Sequence, residues 1–595
     1  MTGIKCVVDN KGSSYHLQIC PNKSKKSTSA NVVLIIDISG SMNLETEVTN
    51  DDGDKVRHGW SLLDIVKHAA STICRVLDEY DSVSIVTFTD YADCILDWTI
   101  CSEANKENIL KIIHGMNPMN TTNYVAGFIK GFEQFHKKKR NISETYNIYF
   151  FTDGCPSHNF NPQDGYVSCI EKLQKKLFDV NTINVNITTI GLGNQLDSSL
   201  LSNIAPHGFI HMPDAGSIGP FMCNLIAHTK SIAKYESLAL SDSKIVVSPS
   251  SALCNIEDCL FPVKVFDNYV EIHIGSINYD LPRNIIIQLM EYEKLELKQD
   301  DIVIQKFEKA DIFNDFHVIR TEVIKACYAK SISTLKECSA KLSEQHSLSA
   351  TINKEVIPGL NVYFRSWGKH YLKALPPMLR DERRSNFRDE CLQSYFKDVN
   401  GSENTLFEVI SNDAEQIFAT TSPPKPSHLK VETQITRLPD EFMRGGGCWH
   451  GECIVHVKLS SNEVIEKKTS DIKKGDMVFN GESYSYVICV VKRVFKFVRL
   501  VQIGSLSITQ WHPIFYNDKW SFPIHCNYDG LLEGENEVYD LVLSDTHMVV
   551  VEDVKCITLG HNYETDILKH EYYGTDKVIE DLKYSSGWDA GLIEM

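Results

Sequence analysis

Residues 32–36 read Val-Val-Leu-Ile-Ile, an unbroken apolar run that ends directly on Asp37. A half-exposed strand alternates apolar and polar residues, so a run without interruption suits a strand covered on both faces, as in a parallel sheet flanked by helices. Residues 83–88 and 148–151 are further candidate strands, as are residues 185–190, which end at Gly191-Leu-Gly193. Between the strands, Leu62, Val66, Ala69, Ile73 and Leu77 recur at helical spacing behind a Ser61/Asp64 capping box, and residues 125–135 read as a second helix. Strand alternating with helix predicts a doubly wound parallel-sheet α/β domain over residues 31–230, preceded by a strand and polar linker in residues 1–30.

The texture then changes. Residues 235–310 are short β-rich runs, expected to form a sandwich-like segment that the N-terminal strand can join. Residues 315–420 read as a helical connector, with 323–342 as one of its helices. Ser422-Pro-Pro-Lys-Pro-Ser427 opens a linker over 421–444, and residues 445–595 alternate short strands with turns, the pattern of an all-β domain. Lys+Arg 60 against Asp+Glu 78 leaves a net charge of −18, which argues against a nucleic-acid partner bound through bulk charge. No apolar run approaches the roughly 20 residues of a membrane span, so no membrane partner is expected. The first residues lack the apolar core of a secretory signal, and none of the 18 cysteines forms a CxxC pair. An intracellular, cytoplasmic setting with reduced thiols and no structural zinc is therefore expected.

Asp37-Ile-Ser39-Gly-Ser41 follows the first strand at once, where open parallel sheets bind their ligands. One carboxylate and two hydroxyls at alternate positions can converge on a hard cation, with Gly40 permitting the turn. Asp153 ends a second strand in Phe151-Thr-Asp153-Gly154, and Asn120-Thr-Thr122-Asn123 offers a third loop. The alternative is that these aspartates serve only as caps and turn residues. The pattern resembles the von Willebrand factor type A domain and its metal-ion-dependent adhesion site, through Asp37, Ser39, Ser41, Thr122 and Asp153. Asn120 and Thr121 stand where that family has glycines. The resemblance implies Mg²⁺ (or Mn²⁺ or Ca²⁺) held by the three hydroxyls, with the aspartates direct or through water. It also implies a coordination position open to an acidic side chain of a protein partner.

Gly445-Gly-Gly447-Cys448 opens the last domain. A cysteine behind unhindered glycines suits an N→S acyl shift, in which the thiolate attacks the carbonyl of the preceding residue. Thr509 and His512, three apart, can meet the same amide, the hydroxyl to orient it and the imidazole to protonate the leaving nitrogen. Cys448, His450, Cys453 and His456 read alternatively as a small zinc site, but their spacing is not that of the usual ligand sets. The arrangement resembles the Hint fold of hedgehog autoprocessing domains and inteins, with further matches at Asp476, at the block from Glu537 through Asp540, and at His547. It is similar in particular to Hint domains attached to von Willebrand A domains, whose connectors carry patterns like Trp367-Gly-Lys-His-Tyr371 and Asn386-Phe-Arg-Asp389. What the resemblance implies is a Gly447–Cys448 thioester open to attack by water or another nucleophile. The other outcome is a Hint fold kept as a purely structural domain. Splicing is not expected, because His561-Asn562 is followed by Tyr563, which offers no aliphatic hydroxyl or thiol.

Overall fold

Strand Ala30–Asp37 is buried at all eight positions, as its unbroken apolar sequence requires. A computed structural model describes the chain except at residues 1–2, 47, 50–54, 58, 120, 179–184, 213–217, 343–345, 384–404, 423, 429–447, 511, 524–525, 527, 564–567, 569–574, 584, 586 and 595. Asn120, the stretch Asn386-Phe-Arg-Asp389 and Gly445 to Gly447 lie outside the described residues. The chain divides into two units, one of residues 1–47, 59–418 and 426–430, the other of residues 48–58, 419–425 and 431–595. Among the described residues no helix is long and apolar enough to cross a membrane.

In the first unit Ala30–Asp37 lies inside a six-stranded sheet ordered Phe209–Met212, Val185–Leu192, Thr145–Thr152, Ala30–Asp37, Ser82–Phe88 and Ala92–Ile100. Every neighbouring pair is parallel except the last. Val33 and Ile35 pack into a cluster with Phe128 and Phe132 of helix Tyr124–His136 and Ile170 of helix Tyr166–Phe178. Val32, Leu34 and Ile36 point to the opposite face and are equally buried. Each such side chain is worth about 1.5–3 kcal/mol on burial. With both faces covered, the sheet has only its strand ends left for a site.

The N-terminal residues form a hairpin, Lys5–Lys11 with Ser14–Cys20, in a four-stranded sheet with Arg283–Gln288 and Glu308–Lys309. A second sheet of five strands, spanning Ser243–Ser248 to Ile302–Lys306, shares its core, in which Cys6, Val8 and Leu17 meet Ile245 and Val270. The expected helix over 323–342 is two helices, Asp315–Ala329 and Ile332–Ala340. The break falls at Lys330, which takes a left-handed conformation (φ 54°), and the Ser331 side chain then caps the second helix by accepting from the Thr334 N–H.

Helix Lys369–Asp381 ends in a buried ion cluster. Burial works against the Asp381 charge, but Arg380 and His207 overcome it and hold the carboxyl well below its usual range. Arg380 also donates to the carbonyls of Pro206 (2.8 Å) and Leu260 (3.1 Å), which ties the connector to the loop before the last sheet strand and to the β-rich segment.

In the second unit, strands Tyr484–Ile503 and Gly530–Leu543 run antiparallel over most of their length. The two-residue strand Trp449–His450 is held between Leu506–Thr509 and Gly530–Leu543, with Trp449 opposite both Ile508 and Tyr539. Trp449 is fully buried in a core with Val455, Val478, Ile508 and Leu541, so the residue before it is placed by a packed indole rather than by a loop.

Gly368 explains part of the Trp-Gly-Lys-His-Tyr pattern: a Cβ there would fall on the backbone carbonyl of Gly359, which cannot move aside as a side chain can. Gly368→Ala should cost about 1–3 kcal/mol, read as a lowered urea midpoint at unchanged slope. An unaltered midpoint would show that the two backbones do not approach so closely.

Candidate functional site

At the carboxyl end of the central strand, the Asp37 carboxylate accepts from the Ser39 N–H at 2.8 Å with one oxygen and from the Thr152 hydroxyl at 2.7 Å with the other. The Ser39 and Ser41 hydroxyls are 3.2 Å apart, and Ser41 donates to Asp153 at 2.9 Å. Ser39 and Ser41 flank the start of a short 3₁₀ turn, Gly40–Asn43, so alternate residues deliver both hydroxyls to one side. Asp37 is 0% exposed, Ser39 2% and Asp153 5%, whereas Ser41 is exposed and stands at the mouth.

Four of the five residues expected at a metal are thus joined in one hydrogen-bonded cluster. Thr122 is buried in the adjoining loop, but among the described residues no hydrogen bond links it to that cluster. Its N–H donates to the Ser157 hydroxyl at 3.2 Å and its carbonyl accepts from the Ser157 N–H at 2.9 Å. Thr121 is held by Asp90, which accepts from its N–H at 2.9 Å and from its hydroxyl at 2.5 Å. The Tyr124 hydroxyl donates to the Gly154 carbonyl at 2.7 Å and fixes the turn after Asp153. Asp90, Thr152 and Ser157 carry no role in the sequence reading. Thr152 sits inside the Thr-Asp-Gly motif and was open to recognition, but Asp90 and Ser157 gain their roles only through tertiary contact.

The electrostatics of the cluster are unbalanced. Burial, and then the neighbouring Asp153 charge, push the Asp37 carboxyl up to about 7, and burial raises Asp153 as well. Among the described residues neither carboxylate forms a salt bridge to Lys, Arg or His. Two buried acids without a cationic side chain, accompanied by hydroxyl oxygens, fit a hard divalent cation and suit zinc-type nitrogen or sulfur chemistry poorly. Among the described residues there is also no group of three or more His, Cys, Asp or Glu able to hold a metal, which leaves the Cys448/His450/Cys453/His456 alternative without support.

In the second unit the Cys448 N–H donates to the Thr509 hydroxyl at 2.9 Å, and the Thr509 N–H donates to the Cys448 carbonyl at 2.9 Å. The nitrogen so held is the amide nitrogen that Cys448 shares with Gly447. His512 packs its ring edge against Trp449 (centroids 5.3 Å) and donates from Nε2 to the Ile557 carbonyl at 2.7 Å, which makes Nδ1 the basic nitrogen of the ring. Cys448 is fully buried against Leu500 and Val538. The pairing of Trp449 with Tyr539 and His450 with Val538, continued one residue, sets Asp540 across from Cys448. Burial pushes the Asp540 carboxyl well above the usual range. His561 is also drawn in: burial, then the nearby His547 and His512, lower it to about 4.

Comparison with known proteins agrees with both halves. Residues 32–156 match the profile of the von Willebrand factor type A domain, and residues 447–594 match that of the Hint-domain. Among solved structures, a von Willebrand factor type A protein from Catenulispora acidiphila is 12% identical, aligned over 60% of this chain and 86% of its own, with a TM-score of 0.37. The ArnB paralog VWA2 from Sulfolobus acidocaldarius is 15% identical over 60% of this chain and 93% of its own, at 0.33. Proximal thread matrix protein 1 from the mussel byssus, solved with a zinc-occupied MIDAS motif, is 17% identical over 34% of this chain and 45% of its own, at 0.24. No curated protein matches the chain. The chain is a multidomain protein that joins a von Willebrand factor type A domain to a Hint domain.

Proposed function

We propose that this chain binds a protein partner through a divalent cation at Asp37, Ser39, Ser41, Thr122 and Asp153, and that its Hint domain cuts the backbone between Gly447 and Cys448. The observation that carries the binding half is the pair of buried carboxylates with no cationic side chain paired to them among the described residues. Mg²⁺, Mn²⁺ or Ca²⁺ suits the oxygen donors, and when bound it would offset the paired charge and present an open position to an acidic side chain. Thr152 and the Ser39 N–H orient Asp37, and Ser41 orients Asp153, so these residues need little rearrangement.

For the second half, support comes from the Thr509 hydroxyl, which already accepts from the N–H of the amide to be broken. The Cys448 thiolate adds to the Gly447 carbonyl carbon. The C–N bond then breaks, the Cys448 nitrogen takes the proton that the thiol gave up to Nδ1 of His512, and a thioester joins Gly447 to the Cys448 sulfur. Water or another nucleophile attacks that thioester, freeing residues 1–447 with a new carboxyl end and restoring the thiol on residues 448–595. A purely structural Hint domain is the second reading, favoured by the complete burial of Cys448 among apolar neighbours.

Intact mass measured over time, with and without hydroxylamine, separates the two. Wild type should release the fragment of residues 448–595, faster with hydroxylamine. Cys448→Ala should stay whole, and Thr509→Val should slow the cut by roughly 10²–10³-fold. A wild type that stays whole under every condition would leave the Hint domain structural.

The metal site makes a separate prediction. A carboxyl raised to about 7 stabilises the fold fully below the ordinary carboxylate range, and that contribution is lost as pH climbs through 7. In chelator above pH 7, Asp37→Asn should therefore melt above wild type, with the gap closing as pH falls toward 4. Mg²⁺ should raise the melting temperature of wild type and not of Asp37→Asn. Equal Mg²⁺ shifts in the two proteins would remove Asp37 from the site.

A further inference from the structure

The turn that carries Ser41 is touched by a distant part of the chain. His428 donates from Nε2 to the carbonyl of Asn43, the last residue of the turn Gly40–Asn43, at 2.6 Å. Its own N–H donates to the Gly59 carbonyl at 2.9 Å, and the Ser427 N–H donates to Asp64 at 3.0 Å. Asp64 is the capping-box residue of helix Leu62–Val76, and the same oxygen accepts from the Ser61 N–H at 2.9 Å. The two segments gripped in this way are themselves joined, because the Leu62 N–H donates to the Leu44 carbonyl at 3.0 Å and the Leu44 N–H to the Ser41 carbonyl at 2.9 Å. Residues 427–428 thus bridge the metal-bearing turn and the helix start behind it.

The contact is built from hydrogen bonds with little burial. Ser427 and His428 are exposed, whereas Asp64 is 1% exposed. A carbonyl can only accept, so the Asn43 contact requires the proton on Nε2. Exposed hydrogen bonds of this kind open readily, since water replaces each of them at small net cost. The buried Asp64 carboxylate gives the contact a fixed anchor, and the Asn43 carbonyl gives it a variable one, because the position of Asn43 depends on the turn.

We propose that Ser427 and His428 form an intrachain latch whose closure is coupled to occupancy of the metal site, so that a bound cation fastens residues 427–428 onto the turn. This rests on the metal-site reading above. Ligation through Ser39 and Ser41 orders the turn and so sets the Asn43 carbonyl at its latch position. Coupling is reciprocal, so the closed latch must in turn favour the cation.

Hydrogen exchange on the full chain reads the latch directly, because the two amides at stake belong to exposed residues that only the latch protects. Peptides covering Ser427 and His428 should exchange roughly five- to tenfold more slowly in Mg²⁺ than in chelator. Asp37→Asn should abolish that difference, and His428→Ala should exchange fast in both conditions and need more Mg²⁺ to reach the same rise in melting temperature. Exchange indifferent to Mg²⁺, in a wild type whose melting temperature Mg²⁺ does raise, would overturn the coupling and leave the metal site standing. A wild type whose melting temperature ignores Mg²⁺ would overturn the metal-site reading and the latch with it.

Discussion

A carboxylate at the end of a strand buried on both faces is the constraint around which the first unit is arranged. The apolar run before Asp37 requires cover on each side, which the flanking helices supply, and that cover removes water from the carboxylate. Burial and the nearby Asp153 then push the Asp37 carboxyl up to about 7. The fold answers with hydrogen bonds alone, from the Ser39 N–H and the Thr152 hydroxyl, because no basic side chain pairs with it among the described residues. Those bonds stabilise the charge without cancelling it. The remaining imbalance, shared with Asp153 at the end of the adjacent strand, is what a divalent cation would relieve.

The second unit solves a different problem by similar means. The Cys448 backbone is held in place by the Trp449 ring packed deep in the core and by Thr509, which bonds it on both sides. Of the cysteines described, none is in a disulfide. Cys74 and Cys556 are buried thiols that desolvation pushes well up, as expected of packing residues. Asp540, which the strand register sets across from Cys448, is raised well above the usual carboxylate range by burial.

Much of this was legible in the residues themselves. The run before Asp37 and the Ser61/Asp64 capping box are local signals that mark their place in the structure, and of the Thr509/His512 pair Thr509 meets the Cys448 N–H. Support from afar was not legible. Asp90, Ser157 and the His428 contact depend on loops brought together by the sheet, and nothing in their local sequence marks them. The break at Lys330 was hidden for another reason: lysine is an ordinary helix former, and its left-handed turn is imposed by the packing of two helices rather than by its own preference. The ion cluster at Asp381 is likewise assembled from His207, Arg283 and Arg380, far apart along the chain.

The central claim is that the strand-end carboxylates and hydroxyls form one cation site. Electron paramagnetic resonance of Mn²⁺ titrated into the full chain tests it most directly, because free and bound ions give separate signals. The account predicts one tightly bound Mn²⁺ per chain, displaced by Mg²⁺ and lost in both Asp153→Asn and Ser41→Ala. Binding of equal strength in those variants would contradict it.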